Sequence, residues 1–190
     1  MAKKESTFIN MVLTLLIITG LSSLALSGVF ELTKGPIAKA RQEKKERAIK
    51  AVLPEFDTML LKMVMPETGK DSLEFIAAYE DSLWVGTAIS TYTYKGYSGL
   101  IKLMVGLLPD GCIERIAVLE QKETPGLGTK IADEKFKHQF IGKDPSKYIL
   151  KVKKDGGDFD AITAATISSR AYCEAVQRAY DAFKRDGGNK

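Results

Sequence analysis

From Phe8 to Phe30 the chain carries no charged residue. A helix of about 23 residues, rising 1.5 Å per residue, crosses the roughly 30 Å hydrocarbon core of a bilayer. The run is longer than the 7–15 apolar residues of a signal peptide, although Lys3 and Lys4 form a basic start and Ala25-Leu26-Ser27 could serve as a cleavage site. The expectation is a retained membrane anchor over residues 8–30, and Lys3 and Lys4 favour a cytoplasmic tail at 1–7. The flanking charges point the other way: Lys34, Lys39, Arg41, Lys44, Lys45 and Arg47 follow the run, and cations mark the cytoplasmic side.

Beyond the anchor, a helical connector over 31–58 is expected, its helix running from Ile37 to Leu53 after Gly35-Pro36 and ending before Pro54. Its intermixed charges read as a solvated face. Residues 59–72 show no clear period. Strands are predicted at 75–79, 83–94, 100–108, 112–119 and 148–152, where β-branched and aromatic residues alternate between turn signals. Asp110-Gly111 between two apolar runs is a hairpin signal. Residues 133–141 suit a short helix with Phe136 and Phe140 on one side. From Ser168, Ala171, Tyr172, Ala175, Val176, Ala179, Tyr180 and Phe183 recur at helical spacing. The resulting class is α+β: an N-terminal transmembrane helix, then one domain over 59–190 with a mainly antiparallel sheet and a C-terminal helix.

Composition excludes several functions. Of 190 residues, 28 are basic and 24 acidic, a net charge of +4 that is too mild for a nucleic-acid binder. Cys112 and Cys173 lack metal-ligand spacing, and His138 is the one histidine, which leaves little for a zinc site or a Ser-His-Asp triad. No Gly-x-Gly-x-x-Gly follows a strand, so a nicotinamide fold is not indicated.

Two short segments carry the chemistry. Asp160-Ala161-Ile162-Thr163-Ala164-Ala165-Thr166 leads into the C-terminal helix, placing Thr166 near free backbone amides and the positive end of the helix dipole, a natural phosphate seat. An ordinary N-cap by Thr166 or Ser168 is the plainer alternative. Glu123-Thr124-Pro125-Gly126-Leu127-Gly128 has the residues of a tight turn, and its small side chains would let backbone approach a ligand.

Together these segments resemble the FMN-binding domain family. The first is similar to the flavinylation motif Asp-x-x-Ser/Thr-Gly-Ala-Thr, and the second matches that family's Glu-Thr-Pro-Gly-Leu-Gly loop. Gly96-Tyr97-Ser98-Gly99 and Pro109-Asp110-Gly111 follow in the expected order. Two positions depart: Ala164 stands where the family usually has Gly, and Gln121 where it often has His. The resemblance implies FMN joined through its phosphate to Thr166 by a flavin transferase. It further implies a cofactor site drawn from Glu123, Thr124, Gly126, Leu127, Gly128, Thr163, Ala164 and Ala165. Tyr97 could pack in the core or stack on the flavin, and Lys153, Lys154 and Arg170 are candidate counter-charges to the phosphate. Asp160 is read as a transferase recognition residue or a helix-entry residue.

Within that family, length and the single anchor are most like the G subunit of Rnf-type ion-translocating electron transport complexes, to which the C subunit of the sodium-translocating NADH:quinone reductase is related. The resemblance implies an electron relay among other membrane subunits, held in the bacterial cytoplasmic membrane with its flavin domain on the extracytoplasmic side. A membrane-anchored flavin sensor and a structural subunit without flavin remain open alternatives.

Overall fold

A computed structural model describes residues 7–187; the basic residues Lys3 and Lys4 and most of the expected cytoplasmic tail at 1–7 lie outside the described residues. The chain divides into two units, residues 1–44 and 45–190.

Helix α1 spans Phe8–Val52 without a break, carrying Pro36 inside it. Two segments separated at Gly35-Pro36 were the expectation. Proline removes one backbone donor and crowds the preceding turn, yet here helix-competent sequence on both sides carries the helix through. The apolar residues from Phe8 to Phe30 are exposed all round, Leu16 at 67% and Leu24 at 73%. This is the pattern of a helix whose solvent is lipid, and α1 meets the length and hydropathy of a membrane span.

In the second unit, five strands form an antiparallel meander in the order β1-β2-β3-β4-β5: β1 Thr58–Val64, β2 Leu73–Glu80, β3 Leu83–Gly96, β4 Gly99–Leu107 and β5 Ile113–Glu120. One face carries Phe75, Ile89, Leu103, Val105 and Ile116, fully or nearly fully buried, in register across the strands. Helix α3, Thr166–Asp186, covers this face. Ala171, Ala175 and Ala179, at four-residue steps and buried to 1% exposure or less, let the helix approach closely, and the Thr91 hydroxyl donates to the Ala175 carbonyl at 2.9 Å. The opposite face, with Ile76, Ala78, Ala88 and Met104, packs against Ala48, Ile49, Val52 and Leu53. Gly106 is required there, because a Cβ would fall on the Val52 carbonyl.

Two strand expectations change. Part of the stretch 59–72 that shows no clear period, together with Thr58 from the expected connector, forms edge strand β1, exposed at every position except Val64. Residues 148–152, expected as a strand, are irregular: the Ile149 N–H donates to Asp158 Oδ2 at 2.7 Å, and the segment joins no sheet beyond an isolated parallel bridge, Val152 to Phe159. The expected helix at 133–141 is α2, Glu134–Lys137, continued as a 3-10 turn through Phe140. Phe136 and Phe140, expected on one side, are both buried; Phe136 meets Phe140 and Tyr172 edge-on, and Phe140 meets Tyr172 at a tilt of 47°.

Candidate functional site

Thr166 is the first residue of α3, and no side chain caps that helix. The first intrahelical bond runs from the Ser169 N–H to the Ala165 carbonyl, 3.1 Å, which leaves the leading amides of Thr166, Ile167 and Ser168 directed out of the helix end. The N-cap alternative fails for both hydroxyls: Thr166 lies inside the helix, and the Ser168 hydroxyl donates to Glu123 Oε2. Ala164 sets the entry to the helix with φ +62°. That is the left-handed region where glycine carries no Cβ penalty, so the chain adopts the glycine-like turn although alanine occupies it.

A cavity of about 480 Å³ opens at this helix end, lined by Tyr97, Glu123, Thr124, Leu127, Gly128 and residues 164–168. The two motif segments, far apart in sequence, thus meet across one space. Of the predicted site residues, Glu123, Thr124, Leu127, Gly128, Ala164, Ala165 and Thr166 line it. Gly126 and Thr163 do not. Gly126 is the loop tip at φ +75°, its N–H held by Thr129 Oγ1 at 3.0 Å, while Thr163 lines a separate cavity beside Phe136 and Gln139.

Tyr97 is 69% exposed, which removes the core-packing reading and leaves its ring on the cavity wall. Leu127 and Ile167, 40% and 46% exposed, present further apolar surface. Ile167 was not anticipated. Its apolar side chain at the second position of the helix was the available signal.

The loop 123–129 is fixed by its own bonds: the Thr124 carbonyl accepts from Leu127 N–H at 3.2 Å and Thr129 N–H at 3.3 Å. Beneath the cavity Glu123 is buried. Its Oε1 accepts the Ser98 N–H at 3.0 Å, its Oε2 accepts the Ser168 hydroxyl, and its own N–H donates to Gln121 Oε1 at 2.7 Å. Gln121 therefore shapes the backbone by neutral hydrogen bonding.

None of the three candidate counter-charges lines this cavity, and two of them are engaged elsewhere. Lys153 pairs with Asp160 at 2.8 Å, and Arg170 grips Asp155 through two bonds of 2.6 and 2.7 Å. That hydrogen-bonded pair holds the Asp155 carboxyl below its ordinary range and the Arg170 guanidinium above its own. Asp160 is no helix cap; its backbone N–H donates to Gln139 Oε1 at 2.8 Å. No lysine or arginine lines the cavity, so the groups at the helix end that favour an anion are the leading amides and the dipole. Other reactive groups are withdrawn: burial pushes the Cys173 thiol up to about 12 and the enclosed Tyr172 phenol well above its usual range. Cys112 and Cys173 are unpaired. Among the described residues no cluster of His, Cys, Asp and Glu could hold a metal ion.

The uncapped helix start fits a phosphate, and a cavity on the scale of a small cofactor with apolar walls fits a flat ring. The FMN-binding domain family matches residues 96–181, the span from the β3–β4 turn to the last turns of α3. Two relatives carry the comparison over most of the chain. The G subunit of the ion-translocating oxidoreductase complex of Aliivibrio fischeri is 36% identical over 168 residues, covering 82% of this chain and 80% of that protein. Its namesake from Escherichia coli K12 is 34% identical over 174 residues, covering 85% and 82%. The chain belongs to the family of G subunits of ion-translocating oxidoreductase complexes. In fold it is similar to the C subunit of the Na⁺-translocating NADH-quinone reductase of Parabacteroides distasonis, with a TM-score of 0.53 and 16% identity over 78% of this chain and 84% of that one.

Proposed function

We propose that this protein is the membrane-anchored flavoprotein subunit of an ion-translocating oxidoreductase complex, relaying electrons through FMN joined by a phosphoester to Thr166. The carrying observation is that Thr166 begins an uncapped helix at the wall of the cavity where both motif segments meet. The leading amides of α3 would hold the phosphate, whose negative charge the helix dipole favours. Tyr97, Leu127 and Ile167 would flank the ring and limit water at its edge, while Thr124 and Gly128 complete the lining and Glu123 lies beneath it.

FMN supplies a ring that takes up and gives away electrons one at a time; the protein supplies position and electrostatics. The α1 anchor places the domain beside other membrane subunits of the complex, and a flavin transferase attaches the cofactor. We assign the flavin domain to the extracytoplasmic face of the bacterial cytoplasmic membrane. A thiol introduced at Lys44, on a Cys112→Ala, Cys173→Ala background, should then label with an impermeant reagent from outside; labelling only after permeabilisation would reverse the assignment.

Thr166→Val keeps the volume of the side chain and removes its oxygen. Produced with a flavin transferase and denatured, the wild-type chain should carry flavin fluorescence and the flavin mass, and the variant neither. A variant that keeps the fluorescent band would move the attachment to another residue, with Thr163 first to be tested.

A further inference from the structure

The cavity has three exposed walls and one buried floor. Tyr97 belongs to the β3–β4 turn, Leu127 to the 123–129 loop and Ile167 to the first turn of α3, and each side chain is at least 40% exposed. Walls so exposed do not fix one another by packing. Below them, Glu123 is 4% exposed and touches all three segments: it belongs to the loop, accepts the Ser98 N–H of the turn and accepts the Ser168 hydroxyl of the helix.

The backbone is shaped around this carboxylate. A Cβ at Gly96 would lie 2.7 Å from Glu123 Oε1, and a Cβ at Gly128 would lie 2.7 Å from Oε2 and 2.7 Å from Ser168 Oγ. Any side chain at either position would displace the clamp. A buried carboxylate that accepts with both oxygens loses more when a partner is removed than a surface pair does.

We propose that Glu123 is the positioning residue of the cofactor site, clamping the first turn of α3 to the β3–β4 turn and holding the Ser168 hydroxyl away from the leading amides of the helix. The proposal rests on the FMN reading for its consequence, but the clamp itself is a property of the protein without cofactor. Thr166 and its amides are presented to a phosphate in one orientation because Ser168, two residues on, is fixed from below. The cavity walls keep their spacing for the same reason.

The substitutions separate shape from acceptor. Gln can accept the Ser98 N–H through its oxygen and donate through its amide to the Ser168 hydroxyl, which rotates to accept; Ala can do neither. In full-length protein without flavin, hydrogen exchange at the Ser98 amide should accelerate about tenfold or more in Glu123→Ala, the factor equivalent to the net loss of one hydrogen bond, and return towards wild type in Glu123→Gln. Ser168→Ala should leave the Ser98 amide protected. With the flavin transferase supplied, the rate at which flavin mass appears on the chain should fall about tenfold or more in both Glu123→Ala and Ser168→Ala, and recover in Glu123→Gln.

Unchanged exchange at Ser98 in Glu123→Ala would overturn the clamp, whatever happens to flavin. Accelerated exchange with wild-type flavin loading in both Ala variants would overturn the positioning role. Flavin that stays on Thr166→Val would fail the FMN reading at Thr166, while the exchange results on the clamp would stand.

Discussion

The two long helices of this molecule solve opposite problems with similar kinds of apolar residue. Through the first 30 positions of α1, leucine, isoleucine, valine and phenylalanine face every direction and none is buried. In α3 twelve of 21 residues are buried, against the sheet and against Phe136 and Phe140. A helix that is apolar all round has no internal partner to choose and takes its stability from lipid. An amphipathic helix is oriented by its one apolar face, and that orientation is what brings Thr166 to a fixed place. The anchor can therefore tolerate change along its length so long as it stays apolar, whereas α3 carries information in nearly every residue.

The sharpest break should come at Arg178, the one strongly charged group buried in α3. It is 7% exposed and donates to the Thr68 carbonyl at 2.6 Å, to the Tyr92 carbonyl, and to Glu174 Oε1 at 2.8 Å. Arg178→Ala leaves the Thr68 and Tyr92 carbonyls without their donor, while Glu174 keeps Lys95 at 3.1 Å, and should cost about 1–3 kcal/mol for each carbonyl left unsatisfied. Thermal unfolding of the detergent-solubilised protein measures it; a loss no larger than that of a surface charge would mean the network is not a stability element.

Leu15→Lys tests the other helix. A lysine near the middle of a span costs about 2.5–3.5 kcal/mol in insertion, so carbonate-resistant membrane association should fall. The melting temperature of the second unit should not move, because Leu15 is 64% exposed and touches no core. A matched drop in both would contradict the separation of anchor and domain. A third substitution returns to the helix start: Gly128→Val drives a β-branched side chain into Glu123 and Ser168 and should cost about 1–3 kcal/mol by overpacking. Gly126→Val, with open space at its Cβ but φ +75°, should cost less. Equal losses would mean that backbone conformation, not the clamp, controls the stability of this loop.

These same regions show what could be read from residues alone. The uncharged run, the hairpin turns and the spacing of α3 were legible because each is a local pattern with one physical cause. Strand β1 was not. Thr58-Met59-Leu60-Leu61-Lys62-Met63-Val64 is apolar on both faces and sits at the sheet edge with both faces largely exposed, so no alternation betrays it. The 148–152 segment failed in the other direction: its apolar residues fill core positions at Leu150 and Val152, but the Ile149 amide goes to the Asp158 side chain and those of Tyr148 and Lys151 to nearby backbone carbonyls instead of to a neighbouring strand. In the site, the motif residues were legible and their meeting was not. The clamp joins residues 45 apart in sequence, and nothing in the local pattern of Ser168 tells that its hydroxyl turns down to Glu123 and not toward the helix end.

The smallest expected effect falls at Ala164. Its φ of +62° places a methyl group where L-residues pay about 1–2 kcal/mol for the contact between Cβ and the adjoining carbonyl. Glycine would remove that penalty while loosening the unfolded chain by about 0.5–1 kcal/mol. The difference favours glycine, so Ala164→Gly should raise stability by up to about 1 kcal/mol, read as a rise of a few degrees in melting temperature. The turn is already adopted with alanine, so flavin loading at Thr166 should change little in extent. Lower stability in Ala164→Gly would mean that the methyl makes favourable contacts at the cavity wall that outweigh its backbone strain. The helix start would then be held by side-chain packing as well as by Glu123, and the contrast with the apolar run Phe8 to Phe30 of α1, where no side chain is buried, would be stronger still.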